Sequence, residues 1–226
     1  MKNQMRLGIL LMGLVFSFLS FAIDNKVLNL PIKIAGNDYS LTGSLPKITG
    51  AKNLSEIKSC NQVLQKLVDN LAGSAKKEKQ AITISYKIAF ITDDWVSIEF
   101  YTEADNFSLP HLAHPDSGIL TFNYDLKNNK EVKLADVFKA DKKYLSLLAD
   151  FTNSALLKQI QENPDPEWIK TGTAPKSENF ENFLLNQDGL IIVFKYYQVG
   201  PRPVGTPEVL IPIRKLRSFL AIDWTR

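Results

Sequence analysis

Between Leu54 and Tyr101 the hydrophobic period changes, and that change limits the fold more than any other feature of the chain. Leu54, Ile57, Asn61, Leu64, Leu67, Val68 and Leu71 recur at spacings of three and four, the mark of an amphipathic helix. From Ala81 the spacing becomes two. Ile82, Ile84, Tyr86, Ile88 and Phe90 then share one face of an extended strand. Residues 95–101 are aromatic and β-branched in the same way, and Thr92-Asp93-Asp94 suits the hairpin between the two strands. A helical stripe beside paired strands has to be buried on their face.

The remaining segments fit around that unit. Residues 27–34 and 39–45 read as short strands about the turn Ala35-Gly36-Asn37-Asp38, followed by an extended connector at 46–50. The helix 54–71 starts at a cap on Asn53 or Ser55 and ends at Gly73, which leaves 74–80 as a charged loop. Residues 118–126 form a third strand, with 131–134 pairing back across Lys127-Asn128-Asn129-Lys130. After a helical turn at 136–138, Asp141 caps a long helix whose face is Tyr144, Leu147, Leu148, Phe151, Ala155 and Ile160. Asn163-Pro164-Asp165-Pro166 stops it, and 167–176 is irregular. The end is again extended, at 179–185, 190–198 and 208–213, with a last helical turn at 215–220. Hairpins outnumber crossovers. The expected fold is therefore α+β, with mainly antiparallel sheets and a helix packed on each. A boundary in 107–117 divides it into regions 23–112 and 113–226.

Residues 1–22 read as a cleaved signal peptide. Lys2 and Arg6 precede an apolar run from Leu7 to Leu19 that closes on Ser20-Phe21-Ala22. The run is shorter than the roughly 20 apolar residues of a spanning helix. No Cys follows the cleavage point, so the signal is not of the lipoprotein type, and no later stretch is long enough to span a membrane. The expected location is periplasmic or secreted. Two of the 27 basic residues leave with the signal, against 24 acidic ones, so the mature chain is nearly neutral. That balance argues against a nucleic-acid partner, which calls for a basic stripe. Cys60 is the only Cys, which excludes an internal disulfide; its place on the helical face predicts burial.

Few residues suggest chemistry. His111 and His114 lie three apart in a Pro-flanked loop, and Asp105 or Asp116 could complete a zinc site with them. Pro110 and Pro115 work against the helix that would aim both rings together, so no metal is expected. A nucleophile elbow and a phosphate-cradling glycine loop are both missing, and neither a catalytic set nor a cofactor is expected. The stretch Tyr196-Tyr197-Gln198-Val199-Gly200-Pro201-Arg202-Pro203-Val204-Gly205 stands apart. Tyr and Arg give large contact area and Pro lowers the cost of ordering, which suits recognition; a structural return loop accounts for it equally well. The candidate ligand-binding residues are Tyr197, Gln198, Pro201, Arg202 and His114.

Several motifs carry a resemblance. Thr121-Phe122-Asn123-Tyr124-Asp125-Leu126, Val132-Lys133-Leu134-Ala135-Asp136-Val137-Phe138, Asn179-Phe180-Glu181-Asn182-Phe183-Leu184-Leu185, Asp188-Gly189-Leu190, residues 194–205 and Val209-Leu210-Ile211-Pro212 occur in the order of a bacterial envelope family. It is the extracytoplasmic domain of unknown function found in the lysozyme-sensing anti-sigma factor RsiV, and residues 118–220 resemble it. Upstream, Leu45-Pro46-Lys47-Ile48-Thr49-Gly50, the helix 54–71 and Trp95-Val96-Ser97-Ile98-Glu99-Phe100 resemble the companion domain that precedes it in RsiV and in the deacetylase PdaC. Of the family's Gly-Gly-Ala-His stretch only Ala113-His114 is present. The resemblance implies a non-catalytic envelope binding or sensing module, whose partner is an envelope protein or a peptidoglycan fragment. A lysozyme-like protein is one candidate; against it, family members commonly carry Tyr where this chain has Arg202. The alternative is an envelope hydrolase that uses His114 in a cleft.

Overall fold

Val96, Ile98 and Phe100 are fully buried on one face of their strand, as period-two spacing requires, and they anchor the larger of two sheets. The computed structural model describes residues 25–106, 115–140, 143–160 and 164–225. The expected leader, Asp141 and both histidines lie outside the described residues. The large sheet is built from β1 (Lys26–Ala35), β2 (Ser40–Thr49), β3 (Gln80–Ile91), β4 (Trp95–Asn106), β5 (Asp116–Asp125) and β6 (Lys130–Glu131), side by side in chain order. All neighbours are antiparallel except β2 and β3, which run parallel from Ser40↔Ala81 to Gly43↔Ile84. A parallel pair needs a long crossover. Helix α1 (Leu54–Glu78) supplies it, laying Ile57, Cys60, Leu64 and Val68 on the sheet.

Two residues explain how α1 and the sheet fit. A Cβ on Gly43 would lie 1.8 Å from the Ile84 carbonyl oxygen, and the residue sits at φ +131°, so only glycine allows β2 to approach β3 there. Beyond Gly43 the two strands part. Asn61 then takes the missing strand's place. Its amide donates to the Ile48 carbonyl at 2.8 Å and its oxygen accepts the Ile48 N–H at 2.9 Å. The connector expected at 46–50 is accordingly strand as far as Thr49. The helix also runs past Gly73, because Ala75 is fully buried and the lysines around it face water; Lys79, at φ 53°, closes it. Asn53 stands at the first cap position but donates its amide to the Asp93 carbonyl instead of capping.

The second layer follows β6. It comprises α2 (Leu134–Val137), α3 (Tyr144–Gln159), α4 (Pro166–Gly172), a 3-10 turn at Ser177–Phe180, β7 (Phe183–Asn186), β8 (Gly189–Val193), a 3-10 turn at Arg202–Val204, β9 (Glu208–Pro212) and α5 (Ile213–Leu216). β7, β8 and β9 form an antiparallel sheet in that order. Its core gathers Leu148, Leu156, Phe180, Ile192, Phe194 and Trp224. Three expectations change here. The segment expected to be irregular holds α4, whose start is fixed by Asp165 accepting the N–H groups of Glu167 and Trp168 with Pro166 at the first turn. The strand expected at 179–185 is a turn until Phe183, since Phe180 is buried within it. The strand expected at 190–198 ends at Val193. The architecture is α+β, two mainly antiparallel sheets with helices.

The sheets meet through hydrogen bonds. β7 is an edge strand whose outer polar groups point at the face of β4 and β5. Thr121 Oγ1 accepts from the Phe183 N–H at 3.2 Å. The Asn123 amide donates to the Phe183 carbonyl at 2.8 Å, while Ser97 Oγ and Asn123 Oδ1 take the Leu185 N–H at 3.0 and 3.1 Å. Ser97 donates to Asn123 at 2.7 Å, so the two side chains hold each other. The division expected between 112 and 113 falls between β4 and β5, which are paired from Trp95↔Asp125 to Ala104↔Asp116.

Candidate functional site

After Val193 the chain leaves β8 and does not regain a strand until Glu208. This connection is tied down from behind. The Gln198 amide donates to the carbonyls of Gly172 and Asn179 at 3.0 and 2.9 Å, and its oxygen accepts the Lys195 N–H at 3.0 Å. Val199 is buried in the core. Gly172 lets α4 press against the loop, since a Cβ there would lie 2.0 Å from the Gln198 carbonyl oxygen. The Trp168 indole N–H donates to the Tyr197 carbonyl at 3.0 Å. Held this way, Tyr197 takes φ 62°, a left-handed conformation unusual for an aromatic residue, and its side chain stays 54% exposed.

Arg202 lies farther along the loop. Its guanidinium stacks over the Tyr196 ring, 5.6 Å from the centroid, and one nitrogen reaches the Pro115 carbonyl at 3.5 Å. The loop and the start of β5 form the walls of a cleft of about 690 Å³, within the size range of small-ligand sites. Residues 116–121 line one side, Lys195, Tyr196, Tyr197 and Arg202 the other, and Lys133, Glu181 and Asn182 complete it. Lys195 pairs with Glu181 and Lys133 with Glu131. Arg202 has no carboxylate partner among the described residues. Asn182 is only 7% exposed, and its amide nitrogen has no hydrogen-bond partner among the described residues.

Tyr197, Gln198, Pro201 and Arg202 thus sit on one loop but face different ways. Tyr197 and Arg202 line the cleft and Pro201 is exposed at the turn, whereas the Gln198 side chain is spent inside the fold. His114 lies outside the described residues. Asn182, Lys133 and Trp168 were missed. Asn182 had a visible signal, a polar residue between Phe180 and Phe183 in a segment read as a strand. Lys133 and Trp168 had none, because only the packing of β6, α4 and the loop brings them near. Among the described residues, no cluster of three His, Cys, Asp or Glu could hold a metal ion.

A second polar group is buried at the junction of the sheets. Glu99, 1% exposed, accepts from the Tyr101 hydroxyl at 2.7 Å and lies 3.6 Å from Lys87, which also pairs with Glu208 at 3.3 Å. Its other oxygen has no partner among the described residues. Burial pushes the Glu99 carboxyl above its ordinary range, and burial together with Glu99 pushes the Tyr101 phenol up.

Residues 135–214 match the model of DUF3298, described as a protein of unknown function. The match takes in the loop, α4 and Asn182, while the β5 wall of the cleft lies upstream of it. The chain is 29% identical over 143 residues to the peptidoglycan-N-acetylmuramic acid deacetylase PdaC of Bacillus subtilis, covering 63% of this chain and 30% of that protein. It is 24% identical over 201 residues to the anti-sigma-V factor RsiV of the same organism, covering 84% and 68%. It is also 25% identical over 109 residues to the immunogenic protein MPT64 of Mycobacterium tuberculosis, covering 48% and 46%. The chain therefore spans less than a third of the deacetylase and about two thirds of the anti-sigma factor. DUF3298 family structures from Bacteroides fragilis and Pseudomonas aeruginosa share the fold at a TM-score of 0.61, with 16% and 14% identity, over 89% and 88% of this chain and 94% of each of theirs. No helix among the described residues is long and apolar enough to cross a membrane.

Proposed function

We propose that this chain is an exported, non-catalytic binding module of the cell envelope, which takes a protein or peptidoglycan-related ligand at the loop 196–205. One observation supports this most. The loop is fixed from behind by Gln198, Gly172 and Trp168, and it holds Tyr197 and Arg202 at an open cleft. Side chains ordered before binding lose little entropy on contact, and Tyr and Arg are among the residues that dominate binding energy. The relatives named for an anti-sigma factor and a peptidoglycan deacetylase favour an envelope setting. Residues 1–22 serve as the leader in this reading, and Pro201 joins Tyr197 and Arg202 at the contact. The test is capture of a partner from envelope extract by the mature chain, with Arg202→Ala and Tyr197→Ala compared with wild type. Loss of capture in both variants at unchanged melting temperature is expected. Normal capture by both would place the interface elsewhere.

A further inference from the structure

The cleft also indicates which chemistry it accepts. We propose that it is a site for a carboxylate-bearing saccharide, with Arg202 as the anchor for the acid; this rests on the binding reading above. The Arg202 guanidinium offers five N–H donors in a rigid fork that matches a carboxylate. Stacking on Tyr196 and a long contact to the Pro115 carbonyl orient the group, and most of its donors have no acceptor among the described residues. The other cations of the wall, Lys133 and Lys195, pair with Glu131 and Glu181, which leaves Arg202 and the Asp116 carboxylate as the lining charges without an ion pair among the described residues. Asn182 also lines the cleft, and its buried amide nitrogen has no hydrogen-bond partner among the described residues. The rim supplies the saccharide half of the argument. Tyr197 and Trp168 are the exposed aromatics of this region, joined by the indole-to-carbonyl bond, and Tyr197 lines the cleft. A pyranose ring has an apolar face that stacks on such a surface while its hydroxyl and acid groups turn to the polar wall.

The experiment uses the mature chain and three probes in titration calorimetry: the N-acetylglucosamine–N-acetylmuramic acid disaccharide, its methyl ester, and neutral di-N-acetylchitobiose. The acid should bind, with affinity at least about tenfold weaker for the ester and for chitobiose, a difference in the range expected for a charge-assisted bidentate contact. Arg202→Ala should abolish the preference for the acid, and Arg202→Lys, which keeps the charge but not the fork, should retain only part of it. Equal binding of acid and ester, or no binding of the acid, overturns the inference, and this comparison needs no variant. If the acid fails while capture from envelope extract still depends on Arg202 and Tyr197, the inference falls and the binding-module reading stands. If the acid binds but capture ignores both residues, the saccharide site stands and the protein-capture form of that reading falls.

Discussion

Within one loop, neighbouring side chains hold opposite offices. Gln198 makes three hydrogen bonds inward, whereas Arg202 and Tyr197 face the cleft. Gln198→Ala should therefore lower stability by about 1–3 kcal/mol, the cost of leaving polar groups unpaired, while Arg202→Ala should stay within about 0.5 kcal/mol in urea denaturation. A reversed order would mean that the loop is held by Arg202 instead. Glu99 gives a second test. Its pKa in the fold is raised above the ordinary 4.5, so the folded protein holds that proton more tightly than the unfolded chain does. Its stabilising share is complete below the ordinary value and is lost as pH rises through the raised one. Glu99→Gln should remove that slope and gain on wild type between acid and neutral pH. A gap between the two proteins that is the same at pH 4 and pH 7 would contradict the assignment.

At the level of elements, the segments misread from sequence each have a local cause. The lysines after Gly73 suggested a loop because charge and glycine usually mark one, yet lysine is a good helix former and Ala75 gives the extra turns a buried anchor. Gly73 therefore sits inside α1, with nothing within 4 Å of the place its Cβ would take. Gly73→Ala should raise stability by about 0.5–1 kcal/mol, read as a higher melting temperature; destabilisation would show that the helix ends earlier. α4 was legible in principle, as Asp165 followed by Pro166 is a helix start, but the preceding Pro164 suggested only a stop. The β7 edge could not be read in advance. Its partners Ser97, Thr121 and Asn123 lie about 60 to 90 residues upstream, and nothing local marks them as acceptors and donors for another strand. Asn123→Leu should leave the Phe183 carbonyl unanswered and the Leu185 N–H held by Ser97 alone. The expected loss is about 1–3 kcal/mol with faster amide exchange at Leu185. Unchanged exchange would mean that Ser97 suffices.

For the molecule as a whole, the legible part of the fold is the part set by period. The α1 stripe and the β3–β4 hairpin follow from spacing, as does the burial of Cys60, except that a register shift after Ile88 sends Phe90 to the core of the second layer and Ile91 to that of the large sheet. How the two layers join, and hence where a cleft opens, depends on contacts between distant segments. Arg202 and Tyr197 could be picked out by residue type and Asn182 by its place between Phe180 and Phe183, but Lys133 gains meaning only when β5 and the loop face each other. Cys60 offers a test at this scale. It is fully buried where α1, which carries it, packs on the sheet, and burial pushes its thiol up to about 12 from 9.0. Thiol reagents should label it only as fast as the large sheet opens, with a jump in rate at the urea midpoint. Rapid labelling of the native protein would show α1 loosely docked. The bond between Trp168 and the loop has one more consequence. Of the three tryptophans, Trp95 and Trp224 are buried at 7% and 1% exposure, and Trp168 at 37% is the one in reach of solvent. Its indole hangs on the backbone of Tyr197, so the protein carries its own optical reporter: a quencher in solution dims chiefly the emission that originates beside the loop.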